Sequence, residues 1–331
     1  MSCKTIKLNN GKVAPLLGLG TYNGIDSSPE EKQKVADATY YAIHAGYRHI
    51  DTAWIYGIED MVGQGVKRAI DEGIVKREDL FIVTKIWVTK LRADKVAQQA
   101  RESLKNLGLT YADCFLIHWP IAFKDIPLKF GQFFPENEDG TLAEDLDLDI
   151  YTETWPAMEK LVTDGLAKSI GISNFNTKQV EKLMSVCKIK PVLNQVESTP
   201  YLTQEVLKKT CDKHGIVLTA FSPFGGPPMD GGKDDNSFKK ALWNEPVIVK
   251  LAEKYKKNVS HILLKFHVQR GVSVVPKSTT KERIIDNANI FDFELTDEEM
   301  ESLKHLNKGR RTWDIMINFL KDCKNYPYLE E

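Results

Sequence analysis

Cysteine is scarce in this 331-residue chain. Cys3, Cys114, Cys187, Cys211 and Cys323 are odd in number, scattered, and never form a C-x-x-C pair. That argues against a disulfide framework and fits a reducing compartment, with the cytoplasm as the expected location. Long apolar runs are missing too, so no membrane span is expected. The opening Met-Ser-Cys-Lys-Thr-Ile-Lys-Leu-Asn-Asn lacks the apolar core of a secretory signal. Without such a signal, Asn258-Val-Ser260 reads as a chance match to the glycosylation sequon. Neither sign of charge dominates: 45 basic and 46 acidic residues leave a net charge of −1, with no basic stripe or acidic tail. Nucleic acid and membrane surfaces are therefore not expected partners. No H-E-x-x-H or comparable ligand cluster points to a metal, and no G-x-S-x-G to a serine nucleophile. Gly18-Leu-Gly20-Thr-Tyr-Asn-Gly24 is rich in glycine, but its spacing is not G-x-G-x-x-G and no helix follows directly.

What the chain does have is repetition. Seven apolar runs each end in a polar residue suited to chemistry: His49 to Asp51 with Tyr56 just beyond, Phe81 to Lys85, Phe115 to His118, Ser169 to Asn174, Val192 to Gln195, Val217 to Ser222, and Val272 to Ser278. Stretches of helical periodicity separate them. Strict alternation of strand and helix implies parallel strands, whose C-terminal ends share one face. Asp51, Tyr56, Lys85, His118, Asn174, Gln195 and Lys277 can then converge in one mouth, as in an α/β fold of the (β/α)8 TIM-barrel type. A bare barrel needs about 250 residues, so 1–331 reads as a single domain with inserted loops.

Local signals fill in the rest. Thr5–Leu8 and Lys12–Ala14, joined by Asn9-Asn-Gly11, predict a β-hairpin before the first barrel strand at Leu16–Gly20. Ser28-Pro29-Glu-Glu31 starts a helix and Thr296-Asp-Glu-Glu299 caps another, which makes one extra helix. Segments 246–256 and 260–270 are both helical, and only one is needed to reach strand eight at 272–275, so the other is the second extra helix. Three stretches should overhang the mouth: 119–150, the glycine- and proline-rich 225–235, and the tail 309–331.

Four residues at neighbouring strand ends carry the chemistry. Parallel strands lie about 4.8 Å apart, so Asp51, Lys85 and His118 can meet around Tyr56. A free tyrosine is a poor acid near neutrality, with a pKa of about 10. A nearby lysine ammonium should lower that value and make Tyr56 a usable general acid. Asp51 would hold Lys85 charged, and His118 would hydrogen-bond a substrate oxygen. Any one of the four, taken alone, reads more readily as a structural residue; all four at adjacent strand ends on one face reverse that reading. A Schiff base on Lys85 is an alternative, though a partner carboxylate works against it. At strand eight, Val275-Pro-Lys277-Ser278 through Arg283, Asp286 and Asn287 places cations and hydroxyls at a helix start, a phosphate pocket that favours NADP over NAD.

With these pieces in place, the chain resembles the aldo-keto reductases, of the aldose reductase-like or hydroxysteroid dehydrogenase-like kind, over nearly its whole length. The motifs are Gly18-Leu-Gly-Thr21, Gly46-Tyr-Arg-His-Ile-Asp51-Thr-Ala-Trp-Ile-Tyr56-Gly, Ile117-His118-Trp-Pro, Gly171-Ile-Ser-Asn-Phe175, Asn194-Gln-Val-Glu197 and Val275-Pro-Lys-Ser278. The resemblance implies a monomeric barrel that moves hydride from NADPH to an aldehyde or ketone without a metal. By motif position it makes Tyr56 the proton donor, Lys85 and Asp51 its tuning pair, and His118 the residue that orients the carbonyl. Ser173, Asn174 and Gln195 would hold the nicotinamide carboxamide, with Phe221 stacked on the ring where the family usually has tyrosine. Gly20, Thr21, Tyr22 and Ser222 would also touch the cofactor. Lys277, Ser278, Arg283 and Asn287 would take the 2′-phosphate end, and Asp286 stands where a glutamate is common at the adenine. Tyr22, Trp54, Trp87, Trp119, Phe123 and Phe224 would line an apolar substrate pocket with Tyr56 and His118. Such a pocket favours apolar aldehydes or bulky, steroid-like ketones over free sugars. The rival reading is an NADPH-binding protein without catalysis, in the manner of a lens crystallin or a channel-associated sensor.

Overall fold

The computed structural model describes residues 4–24, 27–128, 131–226, 237–312 and 319–328. Most of the loop expected at 225–235, and 313–318 and 329–331 of the tail, thus lie outside the described residues. The chain opens with a hairpin, β1 (Thr5–Lys7) against β2 (Val13–Pro15), antiparallel with Ile6 opposite Ala14. Gly11 in its turn has φ of +83°, a conformation glycine reaches without steric cost.

Eight parallel strands follow in sequence order: β3 (Leu19–Gly20), β4 (His49–Asp51), β5 (Phe81–Ile86), β6 (Cys114–Ile117), β7 (Ile170–Ser173), β8 (Leu193–Glu197), β9 (Val217–Phe221) and β10 (Ser273–Val275). Parallel bridges from Leu17 to Val274 and from Gly20 to Lys277 join the first strand to the last and close the barrel. The seam is tight. A Cβ on Gly20 would sit 2.7 Å from the Val275 carbonyl oxygen, so only glycine fits there without a shift.

Between the strands run α1 (Pro29–His44), α2 (Glu59–Asp71), α3 (Ala93–Leu107), α4 (Trp155–Thr163), α5 (Thr177–Val186) and α6 (Glu205–His214). Then come α7 (Ser237–Trp243), α8 (Pro246–Tyr255) and α9 (Val259–Gln269) before β10, with α10 (Lys281–Asn287) and α11 (Asp297–Lys304) after it. The caps read from sequence form as expected. Ser28 Oγ accepts from the Glu31 amide while the Glu31 carboxylate accepts from the Ser28 amide, and Thr296 and Glu299 repeat the arrangement. Helix α9 packs on β10 and serves as the crossover, so α8 and α11 are the two extra helices. Helix α7 was not expected; its seven residues follow a segment with no clear periodicity. Before α4, residues 150–154 form a π-type turn in which the Trp155 amide donates to Ile150. Pro156 has no amide to donate and crowds the carbonyl four residues back, which accounts for the wide turn.

Alternation along the strands decides what enters the barrel. Phe81, Val83, Cys114, Leu116, Leu193 and Val217 point inward near the N-terminal end and form one apolar cluster with Leu8 and Ala14 of the hairpin. Their neighbours Ile82, Ile86, Phe115, Ile117 and Leu218 face outward into the larger cluster beneath the helices. Two positions further along the inward faces stand Lys85, His118 and Gln195. Among the described residues no helix is long and apolar enough to cross a membrane.

Candidate active site

The inward alternation brings Asp51, Lys85, His118 and Gln195 to one place. Lys85 Nζ donates to Asp51 Oδ1 at 2.6 Å and to the Thr52 carbonyl at 2.8 Å, both fully enclosed. Gln195 Nε2 donates to the other carboxylate oxygen, Oδ2, at 2.6 Å. Each Asp51 oxygen therefore has its own donor, the condition under which a buried carboxylate is tolerated. This bond to Gln195 crosses the barrel and was not foreseen, because a sequence pattern gives no contact between β4 and β8.

Tyr56 ends a short 3-10 turn, Trp54–Tyr56, that follows β4. Its ring lies 4.9 Å from the Tyr22 ring and 5.8 Å from His118, and Lys85 Nζ is 5.4 Å from its centre. The expected lowering of its pKa is not found. Burial, then the Asp51 and Tyr22 charges, push the Tyr56 phenol well above its usual range. The main physical reason is burial, which disfavours the charged phenolate, and the nearby Asp51 carboxylate adds to it. Burial also lowers Lys85, against the opposing pull of Asp51. His118 is pushed well below its usual value by burial and then by the Lys85 charge, so its imidazole is neutral near neutrality. The site thus presents a neutral phenol and a neutral imidazole above a buried ion pair.

Beside them, Asn174 follows β7 in the left-handed region, at φ of +62°. Its Nδ2 donates to the His118 carbonyl at 3.0 Å and to Ser173 Oγ at 3.2 Å, while Ser173 Oγ donates to the Gln195 carbonyl at 2.8 Å. Phe221 and Ser222 end β9 at the same rim, Ser222 also with positive φ. Thr21 is committed locally, its hydroxyl donating to the Asp51 carbonyl at 2.9 Å. At the β10 end, Lys277 and Ser278 lie at the seam beside Gly20 and Thr21, while Arg283 is on α10 near Lys239, with Asn287 buried on the same helix. Neither Lys277 nor Arg283 forms an ion pair among the described residues. Lys239 of α7 is a third cation there, unforeseen from sequence. Desolvation and then the Arg283 charge lower Lys239; desolvation lowers Lys277, with Lys239 adding to it and Glu31 opposing. Cations held together without an ion-pair partner among the described residues suit an anion of several charges. Asp286 stands apart from them, because its carboxylate accepts from Asn258 Nδ2 at 2.8 Å and so faces the start of α9.

Over the mouth, Trp87, Trp119 and Phe123 join Phe134, Leu320 and Tyr326 in an apolar cluster, with Trp54 and Tyr56 at its edge. Trp87 meets the His118 ring edge-on at 5.0 Å and stacks on Phe134 at 5.7 Å. Trp54 turns its indole N–H outward to Glu102 at 3.0 Å. Phe224, expected with these aromatics, packs instead on Trp243 at 5.7 Å and against the helical layer, because α7 draws it down. Phe134 and the tail residues belong to the irregular stretches, where no periodicity marked them. Among the described residues, no group of three or more His, Cys, Asp or Glu is placed to hold a metal ion.

A closed eight-stranded α/β barrel with a Tyr, Lys, Asp and His set at its mouth defines a class, and the comparisons give the family. The sequence profile of the aldo/keto reductase family matches residues 16–308. The family 1 member A1 aldo-keto reductase of Gallus gallus is 43% identical over 310 residues, 93% of this chain and 90% of that protein. The crystal structure of a Bombyx mori aldo-keto reductase in complex with NADP superposes with a TM-score of 0.84 at 41% identity, covering 99% of each chain. An aldose reductase structure from Schistosoma japonicum gives a TM-score of 0.86 at 35% identity, again covering 99% of each chain. The chain belongs to the aldo/keto reductase family and is an NADP-dependent oxidoreductase.

Proposed function

We propose that the chain works as a single barrel domain that reduces apolar aldehydes or bulky, steroid-like ketones with NADPH. The residues present fit that coenzyme: the cations Lys277 and Arg283, in no ion pair among the described residues, suit a 2′-phosphate, with Ser278 next to Lys277 and Asn287 one turn from Arg283 on α10. Ser173, Asn174 and Gln195 offer amide and hydroxyl groups to a carboxamide, and Phe221 offers a ring face. When bound, the coenzyme supplies hydride to the carbonyl carbon. Tyr56 gives its phenolic proton to the carbonyl oxygen, and its raised resting pKa keeps that proton in place until the oxygen gains charge. His118, neutral, donates a hydrogen bond that orients the same oxygen. Lys85 stands close enough to stabilise the phenolate left behind, and Asp51 keeps Lys85 charged and aimed. Trp87, Trp119, Phe123 and Phe134 exclude water and receive the apolar body of the substrate.

The observation that carries this reading is the 2.6 Å Lys85–Asp51 pair buried beneath Tyr56 and His118 in an aromatic mouth. The test is coenzyme oxidation, followed by loss of nicotinamide absorbance, across aromatic aldehydes, aliphatic aldehydes, sugars and keto-steroids, with NADH in parallel. NADPH should be preferred, and apolar carbonyls should outrank sugars. Arg283→Ala should weaken NADPH by roughly 10- to 100-fold, the loss of a charge-assisted contact, and barely change NADH. Tight NADPH binding with no turnover on any compound would move the non-catalytic binding role to first place.

A further inference from the structure

The C-terminal segment reaches the carboxamide site through one hydroxyl. Tyr328 OH donates to Asn174 Oδ1 at 2.8 Å. The segment is held there from two directions. Asn176 Nδ2 donates to the Pro327 carbonyl at 2.9 Å and Gln179 Nε2 to the Asn325 carbonyl at 2.7 Å. Those two side chains are also the capping box of α5: each one's oxygen accepts the other's amide N–H. The Tyr328 ring is clamped by the Arg311 guanidinium, 3.6 Å from its centre, and by Trp119 at 5.8 Å. Its hydroxyl is therefore aimed by neighbours that do not depend on Asn174.

Hydrogen-bond capacity makes this contact specific. Both Nδ2 protons of Asn174 are already given, to the His118 carbonyl and to Ser173 Oγ. What the side chain can still offer is Oδ1, with two lone pairs. Tyr328 takes one of them and leaves the other for an incoming N–H. We propose that Tyr328 is a positioning residue: its hydroxyl fixes the Asn174 amide so that Oδ1 accepts from the N–H2 of the nicotinamide carboxamide. Through it the C-terminal segment contributes to coenzyme recognition as well as covering the mouth. The inference rests on the proposed role of Asn174 toward the carboxamide, and it goes beyond that role by naming what holds Asn174.

The test pairs Tyr328→Phe with two coenzymes, NADP and its 3-acetylpyridine analogue, in which a methyl group replaces the carboxamide N–H2. Dissociation constants come from quenching of tryptophan fluorescence in the full-length protein. Phenylalanine keeps the ring that Arg311 and Trp119 clamp and removes only the hydroxyl. We expect the wild type to bind NADP more tightly than the analogue. Tyr328→Phe should weaken NADP by roughly three- to tenfold, the worth of one hydrogen bond, and leave the analogue within about twofold. Equal loss for both coenzymes, or no loss for either, overturns the positioning role. If the wild type itself binds both equally, the carboxamide reading of Asn174 fails first. Gln179→Ala, which releases the segment at Asn325 without touching the site, should reproduce the selective loss in weaker form; an unselective loss there counts against the coupling.

Discussion

The two ends of the barrel are built from the same strands and the same inward face, yet they are made of different matter. On β5 the inward series runs Phe81, Val83, Lys85, and from β6 it runs Cys114, Leu116, His118. The first two of each belong to the apolar floor sealed by Leu8 and Ala14 of the hairpin. The last of each belongs to the mouth, where Lys85 pairs with Asp51. A shift of a single residue in register would exchange inward for outward side chains along a whole strand. The floor is held by packing, which fixes that register; the mouth is a set of buried polar groups that only a fixed register can keep paired. Stability is made at one end and spent, in part, at the other.

The widest separation between the ends should come from Tyr56→Phe against Phe81→Ala. Loss of the phenolic proton should lower turnover by about 10²- to 10⁴-fold, with coenzyme affinity and melting temperature near the wild type. Phe81→Ala should cost about 3–5 kcal/mol of stability and leave turnover per folded molecule intact. Steady-state kinetics and denaturant titration on both variants check the contrast. Turnover retained by Tyr56→Phe would remove the proton-donor role.

Lys85→Met is the variant that should fail on both counts. It leaves Asp51 charged and enclosed with only the Gln195 amide, and breaking a buried pair this way costs about 3–5 kcal/mol. The phenolate left on Tyr56 would also lose its cation. Adding Asp51→Asn removes the stranded charge, so the double variant should regain part of the stability and none of the turnover. If stability and turnover return together, the ion pair acts only as scaffold.

Much of the comparison was legible in the sequence, for a physical reason. Parallel strands buried on both faces read as apolar runs, and a polar residue closing such a run has to sit at the mouth; Asp51, Lys85, His118, Asn174 and Gln195 were found this way. The capping boxes at Ser28 and Thr296 are local, so they too were readable. Contacts set by closure were not. The Gln195–Asp51 bond spans the barrel, and Phe134, Tyr326 and Tyr328 lie in irregular chain whose partners are decided by tertiary packing. The displacement of Phe224 follows from α7, a short helix without a periodic signal. The direction of the Tyr56 shift is not legible in the sequence, because the depth of burial, its main cause, is set by tertiary packing.

The smallest effect concerns His49, two residues before Asp51 on the same inward face and so between floor and mouth. Burial is the main cause of its lowered pKa, to about 4, with Lys85 adding to it while Asp51 and the Pro15 carbonyl oppose. In the unfolded chain a histidine takes up its proton near pH 6.5. The folded state resists that proton until about pH 4, so the unfolded state binds more protons across this window. The contribution of His49 to stability is therefore intact above about pH 6.5, declines as pH falls toward 4, and is flat below that. His49→Asn keeps an N–H donor for the Pro15 carbonyl, which His49 Nδ1 approaches at 3.4 Å, and cannot titrate. Between pH 7 and 5.5 the wild type should lose about 1 kcal/mol more than this variant, measured by denaturant titration at each pH. Parallel declines would show that His49 is reached by water, and that the floor does not extend as far toward Asp51 as its burial implies.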